Sequence, residues 1–230
     1  MNDLDALRRL LETADAVIFD FDNVIVDSEP YHFAAYSAVF AKRGHSIDRA
    51  EYWLEWTSRG GGAESEIRRY NLSLDPAAVR AEKDPIYAEY CRSGAIKPFP
   101  EAVGVIDAFG RLGLKLAIAS GSYKEDIRAI LHANGLEDRF SAIVGKDNIE
   151  KCKPHPGTYL VAAKKLGLAP RRCLAIEDAE KGVKSARAAG MRVILIETAI
   201  TRELGLGGAD LKLSSLAQLG GLLGKIVDAG

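Results

Sequence analysis

Five short apolar runs recur along the chain: AVIF at 16–19, LAIA at 116–119, AIV at 142–144, CLAI at 173–176 and VILI at 193–196. Each is too short for a helix, and an unbroken apolar run of this length reads as a strand buried on both faces. A turn and a helical pattern follow each run, clearest from Tyr123 to Ala133, from Pro156 to Leu166 and from Glu180 to Ala189. Gly135, Gly167 and Gly190 stand just past these helices, where a C-cap glycine belongs. Strand and helix alternating in this way lead to an α/β fold, a doubly wound parallel-sheet (Rossmann-like) core.

The rhythm breaks between Val24 and about Lys97. That stretch offers no comparable strand and carries helical patterns at 30–43, 48–57 and 77–93, interrupted by Gly60-Gly61-Gly62. Pro98-Phe99-Pro100 marks the return to the earlier rhythm. The expected organisation is an α/β core of residues 1–23 and 98–230, with an all-helical cap, 24–97, inserted after the first strand. A length of 230 residues accommodates both.

Asp20-Phe21-Asp22 closes the first apolar run. Side chains two apart on extended backbone point the same way, so two carboxylates face one place. In open α/β sheets, ligands bind beyond the carboxyl ends of the strands, where the strand order reverses. Ser120-Gly121-Ser122 follows the second run and opens a helix, so hydroxyls and free backbone N–H groups gather where a phosphate is held well. Ser122 also fits an ordinary N-cap. Lys153 precedes Pro154, which keeps it out of helical conformation; alone it also fits a solvated surface lysine. Glu177-Asp178 follows the fourth run, and helix capping explains that pair equally well when it is taken singly.

Taken together, these four positions converge on one rim of the sheet. Two like charges about 4 Å apart repel by about 1 kcal/mol in water and about 4 kcal/mol at an effective dielectric of about 20. Asp20, Asp22, Glu177 and Asp178 therefore need a counter-charge. Carboxylate oxygens without His or Cys partners favour Mg²⁺, which shares its remaining positions with waters and a substrate phosphate.

Lys plus Arg number 31 against 32 for Asp plus Glu, a formal net charge of -1, which gives no bulk attraction to nucleic acid or acidic membrane surfaces. Hydrophobic residues at 47% and charged residues at 27% are ordinary for a soluble globular chain. Cys91, Cys152 and Cys173 form no CxxC spacing, which argues against a disulfide framework or a zinc site and for a reducing cytoplasm. The N-terminal stretch MNDLDALRRLLETAD lacks the apolar run of a signal peptide, and no segment reaches the roughly 18 apolar residues of a membrane span.

Asp20-Phe21-Asp22, Ser120, Lys153 and Glu177-Asp178 resemble, in order and spacing, the four signature motifs of the haloacid dehalogenase-like hydrolase superfamily. The runs DFDNVIVDSEPYHFAAY, KPHPGTYLVAAKKLG and IEDAEKGVKSARAAGM are similar to the subgroup of phosphoglycolate phosphatase-like enzymes and β-phosphoglucomutase.

The resemblance implies that Asp20 attacks phosphorus and forms an aspartyl-phosphate, and that Asp22 protonates the leaving oxygen and then deprotonates water. It implies that Ser120 and Lys153 hold the phosphoryl oxygens, beside Gly121 and Ser122. Asp20, the Asp22 backbone carbonyl and Asp178 would hold Mg²⁺, with Glu177 nearby or acting through water. In the cap, His32, Arg59 and Lys83 are similar to residues that meet the substrate; a partly exposed histidine, a solvated lysine and a plain surface loop also fit these positions. Asn23 stands where the family usually has Gly, and Asn tolerates positive φ among non-glycine residues.

The expectation is a phosphatase acting on a small phosphorylated metabolite, as a monomer or weak homodimer. A phosphosugar mutase is the first alternative, kept open by His32 and Lys83. Carbon–halogen or carbon–phosphorus chemistry is a second; Asp22 weighs against a dehalogenase, which has no need of that acid. A non-catalytic phospho-ligand-binding module is a third.

Overall fold

The computed structural model describes residues 2–229. The chain runs through α1 (Asp3–Glu12), β1 (Ala16–Phe19), α2 (Glu29–Ala41), α3 (Arg49–Glu51), a π-helical turn (Tyr52–Ser58), α4 (Gly62–Arg69) and α5 (Pro76–Ser93). It continues through α6 (Ala102–Arg111), β2 (Lys115–Ala119), α7 (Lys124–Ala133), β3 (Ala142–Val144), α8 (Gly157–Leu166) and β4 (Cys173–Glu177). Last come α9 (Glu180–Ala188), β5 (Arg192–Ile196), α10 (Ala199–Glu203), β6 (Leu211–Leu213) and α11 (Leu216–Val227).

Among the described residues, six strands form one sheet in the order β3-β2-β1-β4-β5-β6, and every pairing is parallel. The chain winds outward from β1 to β2 and β3, then restarts at β4 on the other side. The carboxyl end of β1 therefore sits at the switch point, where the sheet leaves a crevice. Val17 and Phe19 enter the cluster on one face, and Ala16 and Ile18 the cluster on the other. That alternation follows from the two-residue period of a strand. Burying an aromatic such as Phe19, 1% exposed, contributes about 1.5–3 kcal/mol.

All five apolar runs are strands, and the three capping glycines have positive φ. Strand β6 and helices α1, α4, α6, α10 and α11 lay outside the sequence reading. The short β6 has only Leu211 and Leu213 facing inward, too few for a periodic signal. The segment read as one helix over 48–57 is a single α turn followed by the π-helical turn. Ser122 is not the N-cap of α7: Tyr123 holds that position without a side-chain cap, because the Ser122 hydroxyl is engaged elsewhere.

Helices α2 to α5 occupy the stretch between β1 and β2 and carry their own buried cluster, including Phe40, Tyr52, Trp56 and Val79. Buried Glu66 is satisfied within it by His45 Nε2 at 2.7 Å and Trp56 Nε1 at 3.3 Å. Tyr87 and Cys91 of α5 instead join the cluster on one face of the sheet. Among the described residues, no helix is long and apolar enough to cross a membrane.

Candidate active site

At the end of β1 the Asp20 N–H donates to the Ile176 carbonyl at 2.9 Å, continuing the pairing with β4 for one residue. The chain then turns. The Phe21 N–H donates to Asp20 Oδ1 at 2.8 Å, the Ile25 N–H to the Phe21 carbonyl at 2.9 Å, and the Asn23 N–H to the Val26 carbonyl at 2.9 Å. Asn23 sits at φ 61°, a left-handed conformation that asparagine accepts more readily than most residues. The family's usual glycine is thus replaced without loss of the turn.

Asp22 is enclosed by donors. Its Oδ1 accepts from the Ser28 hydroxyl at 2.5 Å, and its Oδ2 from the hydroxyls of Ser122 at 2.8 Å and Ser120 at 3.0 Å. His32 Nε2 stands 3.7 Å from Oδ1. Burial alone would raise the Asp22 carboxyl, but His32 and the serine hydroxyls outweigh it and hold the group well below the usual carboxylate range. Ser120 also accepts from the Ser122 N–H at 2.9 Å and is fully buried. The expected phosphate-facing hydroxyl is therefore turned onto Asp22, while Gly121 and Ser122 line the cavity.

Asp20 lies against a second polar cluster. Lys153 Nζ is 3.0 Å from Asp20 Oδ1 and 2.6 Å from Glu177 Oε1, and its side chain is buried. Glu177 Oε1 also accepts from the Tyr159 hydroxyl at 2.5 Å. Asp20, Glu177 and Asp178 each offer a carboxylate oxygen, and all three atoms lie within 4.8 Å of one another. Burial and the neighbouring Glu177 push the Asp20 carboxyl up to about 7 against the pull of Lys153; burial and Asp20 likewise push Asp178 well up. Lys153 resists the downward pull of burial, and the two carboxylates raise it.

Three buried carboxylates thus share one close lysine, a deficit of positive charge that a divalent ion removes. Glu177 Oε2 supports this: it is buried without a hydrogen-bond partner, a costly state unless something binds there. An all-oxygen donor set suits Mg²⁺ better than a soft metal.

A cavity of about 340 Å³ opens above this cluster. Asp20, Asp22, Lys153 and Asp178 line it from the sheet, and His32, Tyr36, Trp56 and Lys83 line it from the helical segment. The His32 ring stacks on Tyr87 with centroids 3.6 Å apart. Lys83 is buried over the Tyr87 ring at 4.1 Å, with Asp84 at 3.6 Å, and burial draws its ammonium below the usual lysine range.

Arg59 departs from expectation. Its guanidinium pairs with Glu55 at 2.8 Å, one helical turn back, and does not line the cavity. Gly60 and Gly62 do line it, along with the cationic residues Arg80, Lys146 and Lys181.

Residues 14–190 match the family model described as haloacid dehalogenase-like hydrolase. The chain belongs to the haloacid dehalogenase-like hydrolases. Within this family it is similar to the protein CbbY of Rhodobacter capsulatus, 32% identical over 88% of this chain and 93% of that one. It is also similar to the fructose-1-phosphate phosphatase YqaB of Escherichia coli, 33% identical over 80% and 97%. Among solved structures, CbbY from Rhodobacter sphaeroides in complex with phosphate superposes with a TM-score of 0.76 at 29% identity, covering 90% of this chain and 96% of that one. The chain is accordingly a hydrolase whose curated relatives include phosphatases.

For a member of this family, several site residues lay beyond sequence reading. Ser28 is six residues after Asp22 and reaches it only because the chain turns back; Tyr159 sits in what reads as an ordinary helix face. Neither carries a local signal. Tyr36 and Trp56 fall within the helical stretches 30–43 and 48–57 with nothing in the sequence to mark them, yet they wall the cavity.

Proposed function

We propose that this chain is a Mg²⁺-dependent phosphatase that hydrolyses a small phosphorylated metabolite, a sugar phosphate or small organic acid phosphate, through an aspartyl-phosphate at Asp20. The observation that carries this reading is the placement of Asp20, with Oδ1 on Lys153 and the Phe21 N–H, between the Glu177–Asp178 cluster and the donors around Asp22. The phosphatase relatives support it, as does the phosphate complex of CbbY. The segment 24–97 serves as the cap over this centre, and the three free thiols fit a reducing compartment.

In the first half-reaction, an Asp20 carboxylate oxygen attacks phosphorus as the bond to the leaving oxygen breaks. Lys153 holds the charge on the nucleophile and on the phosphoryl oxygens, beside the Gly121 N–H and Ser122. Asp22 supplies the proton to the leaving alkoxide. That role requires Asp22 to gain a proton first. It does so when Ser120 and Ser122 turn their hydroxyls to the phosphoryl oxygens, which removes donors from Asp22 and brings negative charge near it. In the second half, Asp22 takes a proton from water, the oxygen attacks phosphorus, and Asp20 leaves as carboxylate with inorganic phosphate. Asp20, Asp178, the Asp22 carbonyl and Glu177 would hold Mg²⁺, which supplies charge neutralisation for the bound phosphoryl group.

A panel of phosphorylated metabolites, assayed for phosphate release with and without Mg²⁺, tests the reading. Metal-dependent release from a small sugar or acid phosphate is expected; no release from any member overturns it.

One observation favours a second reading. His32 and Lys83 both face the cavity near Asp22, as a mutase that returns the phosphoryl group to sugar requires. Incubating β-glucose 1-phosphate with a trace of the bisphosphate separates the two, since a mutase accumulates glucose 6-phosphate and a phosphatase free phosphate.

A further inference from the structure

The Glu177 carboxylate is held more closely than a metal ligand needs. It ends β4 fully buried, with Oε1 accepting from both Tyr159 at 2.5 Å and Lys153 at 2.6 Å, and Oε2 has no partner. Below it runs α9. A Cβ built on Gly182 would come within 1.9 Å of Glu177 Cδ and 2.0 Å of both its oxygens. The carboxylate therefore lies directly on the helix backbone, in space that any other residue at 182 would fill. Tyr159 comes from α8 and is itself fully buried. Two helices and a lysine thus fix one oxygen of a buried carboxylate and leave the other bare.

We propose that Tyr159 and Gly182 are positioning residues for the divalent ion: together they lock Glu177 in the one orientation that presents Oε2 to the ion or to a water bound to it. The inference rests on the reading that Mg²⁺ occupies the Asp20–Glu177–Asp178 cluster. Tyr159 works through direction: with its hydroxyl and the Lys153 ammonium both on Oε1, rotation of the carboxylate would leave these donors unmatched. Gly182 works through space. Outer partners of this kind typically change metal affinity about 10- to 100-fold.

The test is Mg²⁺ binding to the full chain by titration calorimetry, with no substrate present. Tyr159→Phe keeps the ring packing and removes only the donor; its Mg²⁺ dissociation constant is expected to rise about tenfold or more. An unchanged constant, with only the metal-free melting temperature moved, would show that the hydroxyl merely satisfies a buried group and overturns the proposal.

Gly182→Ala is expected to lose Mg²⁺ binding and melt at a lower temperature, and it is also compared in a Glu177→Ala background. There the carboxylate is gone, so alanine should leave the melting temperature unchanged or raise it, being the better helix former. The same fall in both backgrounds overturns the role of Gly182. A wild-type chain that binds no Mg²⁺ removes the phosphatase reading and this inference together, whereas unaltered binding in Tyr159→Phe removes only the inference.

Discussion

Lys153 Nζ stands 3.0 Å from Asp20 Oδ1, joining two residues that lie on either side of the helical segment in the chain at the point where the strand order reverses. Both side chains are buried, and Glu177, 2.6 Å from the same ammonium, shares its charge with Asp20. The consequences are measurable.

Lys153→Met removes the cation and leaves Asp20 and Glu177 facing each other. Breaking a buried pair in this way costs about 3–5 kcal/mol of stability. The loss should be larger at pH 8 than at pH 5, because Asp20 takes up a proton at the lower pH and the repulsion falls. Denaturant unfolding of metal-free protein at the two pH values checks this; equal losses would contradict it.

Asp20→Asn should abolish phosphate release, by at least about 10³-fold, since no other carboxylate at the site is aimed to replace the nucleophile. The same change removes the buried charge whose burial, together with repulsion by Glu177, pushes the Asp20 carboxyl up. Metal-free Asp20→Asn is therefore expected to melt no lower than the wild type near pH 8. Substantial turnover by this variant would sink the assignment.

Asp22→Asn should slow alkyl phosphates by about 10²- to 10⁴-fold, the range of general acid–base catalysis. An aryl phosphate with a good leaving group needs little protonation and should lose much less. Equal losses on both substrates would exclude the acid role.

Asp20 gives the metal-free protein a distinctive pH response. Its folded-state value of about 7 lies above the ordinary 3.8, so between these values the folded chain holds a proton that the unfolded chain has released. Stability of the metal-free protein must then fall as pH rises through that window, and the upward shift of Asp178 acts in the same direction. Mg²⁺ competes with the same protons, so its apparent affinity should climb as pH rises through that window. Melting temperatures with and without Mg²⁺ at half-unit pH steps provide the measurement; a metal-induced shift independent of pH would count against it.

Much of this molecule was legible in its sequence for a simple reason. A strand buried on both faces needs an unbroken apolar run, and a helix needs an end. Composition and glycine placement therefore disclosed β1 to β5 and the three capped helices. Asp20, Asp22, Glu177 and Asp178 were legible too, because polar residues at the end of a buried strand lie at the sheet's carboxyl rim; Lys153, in the loop well past β3, was legible through the family resemblance.

What the sequence left open, the tertiary structure decided. It turned the Ser120 hydroxyl onto Asp22, tied Arg59 to Glu55 outside the cavity, and set Tyr159 against Glu177. Periodicity says which face of a helix is buried but not which atom lies across from it. Such pairings depend on how helices seat on the sheet and on the reach of individual side chains, and these are fixed only when the whole chain packs.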